Sequence, residues 1–278
     1  SEPFDIRGHQ VLIGASIGIA LAPSDGRDPD QLLKNADMAL YRAKAEGRGS
    51  FQFFQKEMDV RMQERRYLEL DLRKAVAASQ FELHYQPIVD IAKKKITGFE
   101  ALLRWRHGRR LVGPAVFIGL AEETGAILPV GRWVVERAVA DLASLDRACD
   151  AAGLARTSMS FNVSAVQLAD DLLVPTVVAA LDRHGVDAAR VAVEITESSL
   201  LFSDPAHTAR LDALRALGLR VVVDDFGVGF ASLDYLRRLP LDGIKLDRSF
   251  VAGLGHGGSE DAITGAVLAL AGALHVPV

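Results

Sequence analysis

Two adjacent carboxylates follow a strongly apolar stretch in the second half of the sequence. Residues 221–223 are three valines in a row, and Asp224, Asp225, Phe226 and Gly227 come directly after them. A run of β-branched residues is typical of a strand that is buried on both faces of a parallel sheet. Glycine allows the backbone to turn sharply and to approach a ligand closely. The pattern indicates either a turn that ends a strand or part of a ligand site.

Other apolar segments of the chain end in residues that can bind a cation or a phosphate. In chain order these residues are Glu100, Asn162, Glu194, Asp224 with Asp225, and Lys245. Carboxylate and amide oxygens suit Mg²⁺ or Mn²⁺ better than zinc. Carboxylates gathered at one place repel one another, and two metal ions roughly 3.5–4 Å apart would relieve that repulsion and suit phosphoester hydrolysis. Asp224 is the natural bridging ligand, and Lys245 would place positive charge near the attacking water or the phosphate.

Each of these residues also has a simpler structural role open to it. Glu100 could pair with Arg104 on an exposed rim, and Asn162 could cap the helix that follows it. Glu194 and Glu197 could face solvent, and Lys245 could be an ordinary salt-bridge partner. Because all of them end strands of the same predicted fold, the shared site is the stronger interpretation.

The composition narrows the class of protein. The 278 residues are 49% hydrophobic and 24% charged, which is ordinary for a globular chain with a sizeable core. The net charge of −4 predicts no general attraction to nucleic acid or to anionic membranes. We find no apolar run of the roughly 20 residues that a membrane-spanning helix needs. The single cysteine, Cys149, excludes an internal disulfide and fits a reducing compartment, so we expect a cytoplasmic location, in a parent protein that could be attached to a membrane through an upstream region.

The pattern of elements predicts two units joined by a helix. In residues 1–56 we predict a strand at 11–22, a helix at 29–46 and a strand at 51–54, which is too little for a core of its own. Residues 57–80 are rich in Glu, Arg and Leu and predict a connecting helix. The second unit then occupies residues 81–278.

The second unit alternates apolar strands with helical segments. Strands are predicted at 81–89, 96–103, 159–163, 191–195, 220–223 and 243–246, and another begins at 275–278. Helices are predicted at 114–123, 131–152, 174–184, 205–217 and 260–274. This alternation indicates an α/β fold with a mainly parallel sheet, and strands that each end in polar residues favour a closed barrel.

Several motifs in this unit resemble one known family. Residues 99–105 (FEALLRW) resemble the signature of EAL-domain phosphodiesterases, which hydrolyse cyclic di-GMP to linear pGpG. Further matches follow the same order along the chain: 85–89 (YQPIV), 121–125 (AEETG), 162–164 (NVS), 194–198 (EITES), 224–227 (DDFG) and 245–247 (KLD). The resemblance covers residues 81–278 and implies a modified TIM (β/α) barrel with two Mg²⁺ or Mn²⁺ ions.

The resemblance also implies roles for individual residues. It implies five metal ligands: Glu100, Asn162, Glu194, Asp224 and Asp225. Lys245 would assist the nucleophilic water, and Glu197 would fix the loop after Asp225, which in this family contributes to a homodimer. Gln86 and Arg104 would contact the substrate, Arg104 as a donor to its phosphate.

The first unit resembles the C-terminal part of another family. Residues 15–20 (ASIGIA) and 36–44 (ADMALYRAK) are similar to the end of a GGDEF diguanylate cyclase domain, an α+β fold. Its Gly-Gly-acidic-Glu-Phe turn lies outside this sequence, so we expect no cyclase activity.

The EAL barrel of the family continues beyond the position of Val278. We therefore expect a barrel without its last strands, in a GGDEF–EAL tandem protein truncated at both ends. The alternative is a catalytically silent module that binds cyclic di-GMP, because the family's general-base Glu lies on the continuing strand.

Overall fold

The structure is a computed structural model that describes residues 4–6, 9–11, 14–45, 49–197, 199, 205–228, 241–255 and 258–278. The chain divides into two units, Ser1–Asp71 and Leu72–Val278. The boundary falls inside the helix Lys56–Ala75. Among the described residues, no helix has both the length and the apolar character that crossing a membrane requires.

The first unit is built on short strands and one long helix. Its elements are β1 (Phe4–Ile6), β2 (His9–Val11), β3 (Ile17–Ile19), α1 (Pro29–Ala45), β4 (Phe51–Phe53) and the beginning of α2 (Lys56–Ala75). Strands β1 and β2 are antiparallel, and β3 and β4 are parallel. A Cβ on Gly18 would lie 2.0 Å from the carbonyl oxygen of Ala36, so only glycine lets β3 pack this close to α1. Of the strand that we expected at 11–22, Val11 belongs to β2 and Ile17–Ile19 form β3 in a separate sheet, while residues 12 and 13 lie outside the described residues.

The second unit alternates strands and helices as the sequence indicates. Its strands are β5 (Phe81–Asp90), β6 (Lys95–His107), β7 (Arg110–Val112), β8 (Ser158–Asn162), β9 (Val191–Thr196), β10 (Arg220–Phe226) and β11 (Gly243–Leu246). Its helices are α3 (Pro114–Glu123), α4 (Ile127–Ala152), α5 (Ala165–Leu168), α6 (Leu173–His184), α7 (Pro205–Ala216), α8 (Arg248–Ala252) and α9 (Ser259–Leu274).

The strands of the second unit form one sheet in the order β11-β10-β9-β8-β6-β5, with β7 beside β6. The pairs from β6 through β8, β9 and β10 to β11 are parallel, and β5 is antiparallel to β6. Only residues 91–94 join β5 to β6. So short a connection can make a hairpin but cannot cross over to a parallel strand. The fold is thus the modified (β/α) barrel type expected from the sequence, with its antiparallel first strand.

The core lies between the sheet and the helices that cover it. Phe161 on β8 and Ile195 on β9 are fully buried, and Val135, Val139 and Leu142 on α4 are buried almost completely. Side chains point alternately to the two faces of a strand, and residues three or four apart share one face of a helix. These residues therefore point into the interface between the sheet and α4. The opposite faces of the same strands carry the polar residues of the site.

The end of the chain differs from the expected strand at 275–278. His275 has φ +58° and ends α9, and the amide of Val276 donates to Ala271 O at 3.0 Å. The carbonyl of Pro277 accepts one hydrogen bond from Ile244 N at 2.9 Å. Pro277 has no N–H to donate in return, so this contact with β11 does not extend into a ladder.

Candidate metal centre

Three carboxylates from three parallel strands meet at one end of the sheet. Glu100 on β6, Glu194 on β9 and Asp224 on β10 each offer an oxygen, and these oxygens all lie within 4.8 Å of one another. The strand registers put all three on one face of the sheet. Glu100 is opposite Ser160, two residues before the partner of Glu194, and Asp224 is opposite Thr196, two residues after Glu194. We call Glu100, Glu194 and Asp224 the acidic cluster.

The ammonium of Lys245 lies within the acidic cluster. Its Nζ is 2.6 Å from Glu100 Oε2, 2.6 Å from Glu194 Oε2 and 3.4 Å from Asp224 Oδ1. Lys245 comes from β11, the strand next to β10. One positive charge therefore faces three carboxyl groups, so carboxylates outnumber the cationic groups among the described residues of the cluster.

Burial makes this surplus of carboxylates costly. Glu194 is only 2% exposed. Burial, together with the charge of Glu100, raises its pKa to about 7 although Lys245 acts in the opposite direction. Burial by itself would lower the pKa of Lys245, but attraction to Glu194 and its hydrogen bonds to Glu100 and Glu194 raise that pKa above the ordinary value. A further cation at this place would reduce the repulsion among the carboxylates.

Asn162 belongs to the same group of side chains. Its Nδ2 donates to Glu100 Oε1 at 3.0 Å. The helix cap that we considered as its alternative role is filled by Ser164, whose hydroxyl accepts from Gln167 N at 3.3 Å. The Gln167 side chain accepts from Ser164 N in return, which completes a capping box. Asn162 is therefore available to the acidic cluster.

Asp225 lies in the turn that ends β10, and Glu197, directly after β9, reaches that turn with its side chain. Asp225 has φ +53°, a left-handed conformation that residues other than glycine rarely adopt. Partial desolvation and the neighbouring carboxylates of Asp224 and Asp247 raise the pKa of Asp225. The buried carboxylate of Glu197 accepts a hydrogen bond from Gly227 N at 2.8 Å, two residues after Asp225.

The two residues expected to contact substrate lie on β5 and β6. Gln86 is opposite Glu100 in the β5–β6 register, which places it beside the acidic cluster. Arg104 lies four residues after Glu100 on β6, and its Nη1 donates to Leu103 O at 2.8 Å. The rim ion pair between Glu100 and Arg104 that we considered does not form, because Glu100 pairs with Lys245.

A cavity of about 370 Å³ opens beside the acidic cluster, within the range of small-molecule sites. Glu100, Asn162 and Asp224 form part of its lining, and apolar side chains of β6, α3 and α4 form much of the rest. Glu122 of α3 also lines it. Burial raises the pKa of Glu122, although a hydrogen bond with Ser164 opposes this effect.

We assigned no role to Glu122 from the sequence. Helical spacing could have identified it, because Ala115, Ile118 and Glu122 share one face of α3 and all three line the cavity.

The donor set fits a hard divalent cation. All the side chains brought together at the acidic cluster offer oxygen atoms except Lys245, and three of them are carboxylates. Oxygen ligands of this kind are those of Mg²⁺ and Mn²⁺. The acidic cluster can hold a metal ion, as the sequence predicted.

Comparison with known proteins identifies both units. Residues 69–278 match the EAL domain family, and residues 1–50 match the family described as diguanylate cyclase, GGDEF domain. The chain is 41% identical over 278 residues to the cyclic di-GMP phosphodiesterase NbdA of Pseudomonas aeruginosa, covering 100% of this chain and 35% of the relative. It is 40% identical over 279 residues to the bifunctional diguanylate cyclase/cyclic di-GMP phosphodiesterase MucR of the same organism, covering 100% of this chain and 40% of that protein. The chain thus spans well under half the length of these curated relatives.

A solved structure agrees with these matches. The complex of the PaMucR phosphodiesterase with c-di-GMP has a TM-score of 0.69 and 38% sequence identity. The superposition covers 76% of this chain and 84% of that one. The match over residues 69–278 and these relatives together show that the chain belongs to the EAL domain family, with a GGDEF domain fragment at its N-terminus.

Proposed function

We propose that the protein containing this chain hydrolyses cyclic di-GMP to linear pGpG in a metal-dependent reaction. The observation that carries the proposal is the acidic cluster: three carboxylates from separate strands with one ammonium among them, beside a cavity of about 370 Å³. The similarity to NbdA, a cyclic di-GMP phosphodiesterase, and to MucR, a bifunctional diguanylate cyclase/cyclic di-GMP phosphodiesterase, supports the same activity.

We propose two Mg²⁺ or Mn²⁺ ions as the cofactor. Glu100, Asn162, Glu194, Asp224 and Asp225 would hold them, and three of these already lie within 4.8 Å through their oxygens. Bound cations of this kind lower the pKa of water and neutralise charge on a phosphate. The strands supply rigidity, since Glu100, Asn162, Glu194 and Asp224 stand in paired registers before any ion arrives.

Lys245 is the proposed catalytic cation of the chain itself. Its ammonium donates to Glu100 and Glu194 at 2.6 Å and so stays protonated and oriented within the cluster. With divalent cations on the carboxylates, the ammonium would donate to the attacking water or to a phosphate oxygen. Positive charge held there stabilises negative charge that develops during phosphodiester cleavage.

The cavity is the proposed place for part of the dinucleotide. Its apolar walls would receive a flat base, and its polar members would orient that base by hydrogen bonds. Gln86 would contact the substrate from β5, beside Glu100. Arg104 uses one guanidinium nitrogen on Leu103 O and would offer the others to a phosphate.

We also propose a domain organisation, an oligomeric state and a location. The domain boundaries would be 1–56 for the GGDEF fragment, 57–80 for the connecting helix and 81–278 for the EAL barrel. Glu197 would hold the turn after Asp225, and the protein would form a homodimer through the EAL domain near that turn. A buried free cysteine, Cys149, supports a cytoplasmic location.

The test is product formation by the full-length protein that contains this chain. We expect it to convert cyclic di-GMP to pGpG with Mg²⁺ or Mn²⁺, and chromatography should show no product after chelation. Asp224→Asn should abolish turnover, whereas Asp150→Asn should not, because Asp150 pairs with Arg156 on the surface. Tight binding without product would mean a silent binding module, and the absence of both binding and product would refute the proposal.

A further inference from the structure

The turn that carries Asp225 has an unfavourable backbone conformation. Asp225 has φ +53° and Gly227 has φ +101°, while the pairing of β10 with β11 becomes irregular between Val223 and Phe226. An aspartate in the left-handed region persists only where its surroundings enforce that conformation. The contacts around the turn should therefore include residues whose purpose is to hold Asp225 in place.

Two hydrogen bonds donated by backbone N–H groups account for part of this restraint. The N–H of Gly227 donates to Glu197 Oε2 at 2.8 Å. The N–H of Asp247 donates to Phe226 O at 3.3 Å, which ties the turn to the segment after β11. Neither hydrogen bond restrains the α-carbon of Gly227, so its restraint comes from the atoms packed against it.

The aromatic ring of Phe250 lies directly against Gly227. A Cβ built on Gly227 would be 2.8 Å from Cε2 and 3.3 Å from Cζ of Phe250. The ring thus occupies the space that any larger residue at 227 would need. It leaves this part of the turn little freedom to relax toward an ordinary strand conformation.

The position of Phe250 is itself fixed by the strand that carries Lys245. Asp247, two residues after Lys245, caps α8 by accepting from Ser249 N at 2.8 Å. Phe250 is in the first turn of α8, and its amide donates to Asp247 O at 3.2 Å. The segment that places the ammonium in the acidic cluster therefore also places the ring on the turn of β10.

We propose that Phe250 is a positioning residue that holds the Asp225–Gly227 turn in the conformation needed for metal binding. It touches neither substrate nor metal and acts through Gly227. This inference rests on the proposed metal-dependent function, because it supposes that Asp224 and Asp225 serve as ligands. Removing the ring would let Asp225 relax to negative φ and carry its carboxylate away from the acidic cluster.

The test compares Mn²⁺ binding by the full chain and by variants, using calorimetry. Phe250→Ala should weaken Mn²⁺ affinity by about 10- to 100-fold, the usual effect of losing a residue that orients metal ligands. Phe250→Leu, which keeps part of the contact, should fall between Phe250→Ala and wild type. Val251→Ala is the matched control, because Val251 lies on the same helix and is 52% exposed. Its affinity should equal that of the wild type.

Melting without metal separates positioning from folding. The metal-free Phe250→Ala chain should melt within a few degrees of the wild type, while its stabilisation by added Mn²⁺ becomes smaller. Wild-type affinity in either Phe250 variant would overturn the inference. A large loss of metal-free stability in both variants, with affinity kept in the folded fraction, would also overturn it. If the wild-type chain itself binds no Mn²⁺, the proposed function fails first and the inference falls with it.

Discussion

Carboxylates at the two ends of the parallel sheet are paired with cationic side chains to different degrees. At the amino ends of the strands, the carboxylates of Asp146 and Asp242 each have an arginine partner. The guanidinium of Arg190, just before β9, pairs with Asp146, and its Nε donates to Thr157 O at 3.0 Å. Arg215 pairs with Asp242 at 2.8 Å, and Asp242 also accepts from Val221 N at 2.9 Å.

At the carboxyl ends, the described residues compensate the same kind of side chain only in part. Glu100, Glu194 and Asp224 share the single ammonium of Lys245. Such an arrangement weakens the folded state unless another cation binds, since like charges at close range oppose one another. Charges at the amino ends stabilise the fold, and we propose that the charges at the carboxyl ends bind a ligand.

The largest effect that would test this contrast is the loss of activity in Asp224→Asn. We expect product formation to fall by about 10³-fold, roughly 4 kcal/mol of transition-state stabilisation, because one candidate ligand of the metal pair is lost. Stability of the metal-free protein should stay the same or rise, since one charge leaves an uncompensated cluster. Turnover assays and thermal melting measure the two quantities, and a marked loss of stability would contradict the comparison.

Asp146→Ala should show the opposite outcome at the amino ends. The side chains of Asp146 and Arg190 are 11% and 19% exposed. Removing the Asp146 carboxylate therefore leaves the nearly buried charge of Arg190 without its ion-pair partner. We expect a loss of about 3 kcal/mol in the free energy of unfolding. Urea denaturation measures it, with Asp150→Ala at an exposed pair as control. Activity per folded molecule should be unchanged; a large fall in it would mean that the amino ends also serve catalysis.

Asp242→Ala should have a smaller effect of the same kind. Its partner Arg215 is 41% exposed, so water can replace much of the lost pairing. The hydrogen bond from Val221 N is lost at the start of β10, and we expect about 1–2 kcal/mol in the free energy of unfolding. Denaturant unfolding with and without Mn²⁺ would check it. The increment due to Mn²⁺ should match the wild type, and a smaller increment would place Asp242 in the metal site.

The smallest effect is expected on the helix surface, away from both ends. Hydrogen bonds from His184 and Arg183 lower the pKa of Glu136, which is 38% exposed. A lowered pKa means that the unfolded chain binds more protons near pH 4, so the stabilisation is present above the unfolded pKa and is lost as the pH falls through the folded one. Glu136→Gln should cost less than about 1 kcal/mol at pH 7 and nothing well below pH 4. Unfolding curves at both pH values test this, and an equal cost at low pH would exclude an ionic origin.

Much of the fold of the second unit could be predicted from sequence. Helix α3 runs from Pro114 to Glu123 as expected, because proline favours the first helical turn and Gly125 follows the last one. Helix α4 begins at Ile127 rather than at 131, because Pro129 falls in the first turn, where no N–H is needed. The first unit was harder to predict, since its strands are three residues long and too short for a period to show.

The candidate site could be predicted as a set of residue types but not as a set of contacts. The rule that polar residues gather at strand ends was enough to indicate Glu100, Asn162, Glu194, Asp224 and Lys245. The spacing of these residues along the chain does not show that the Lys245 ammonium lies within the acidic cluster. It also does not show that the Glu197 carboxylate accepts a hydrogen bond from Gly227 N. Those contacts depend on the register between strands that are far apart in the chain.

What the sequence determined by itself was local: which segments are strands or helices, where each strand ends, and which side chains stand there. Apolar runs, prolines and glycines set these features over a few residues, and they act without the rest of the chain. The tertiary structure alone decided how the charges are shared, which ring lies on Gly227, and which cavity opens beside the carboxylates. Burial and distance between strands control those properties, and neither exists until the sheet has formed.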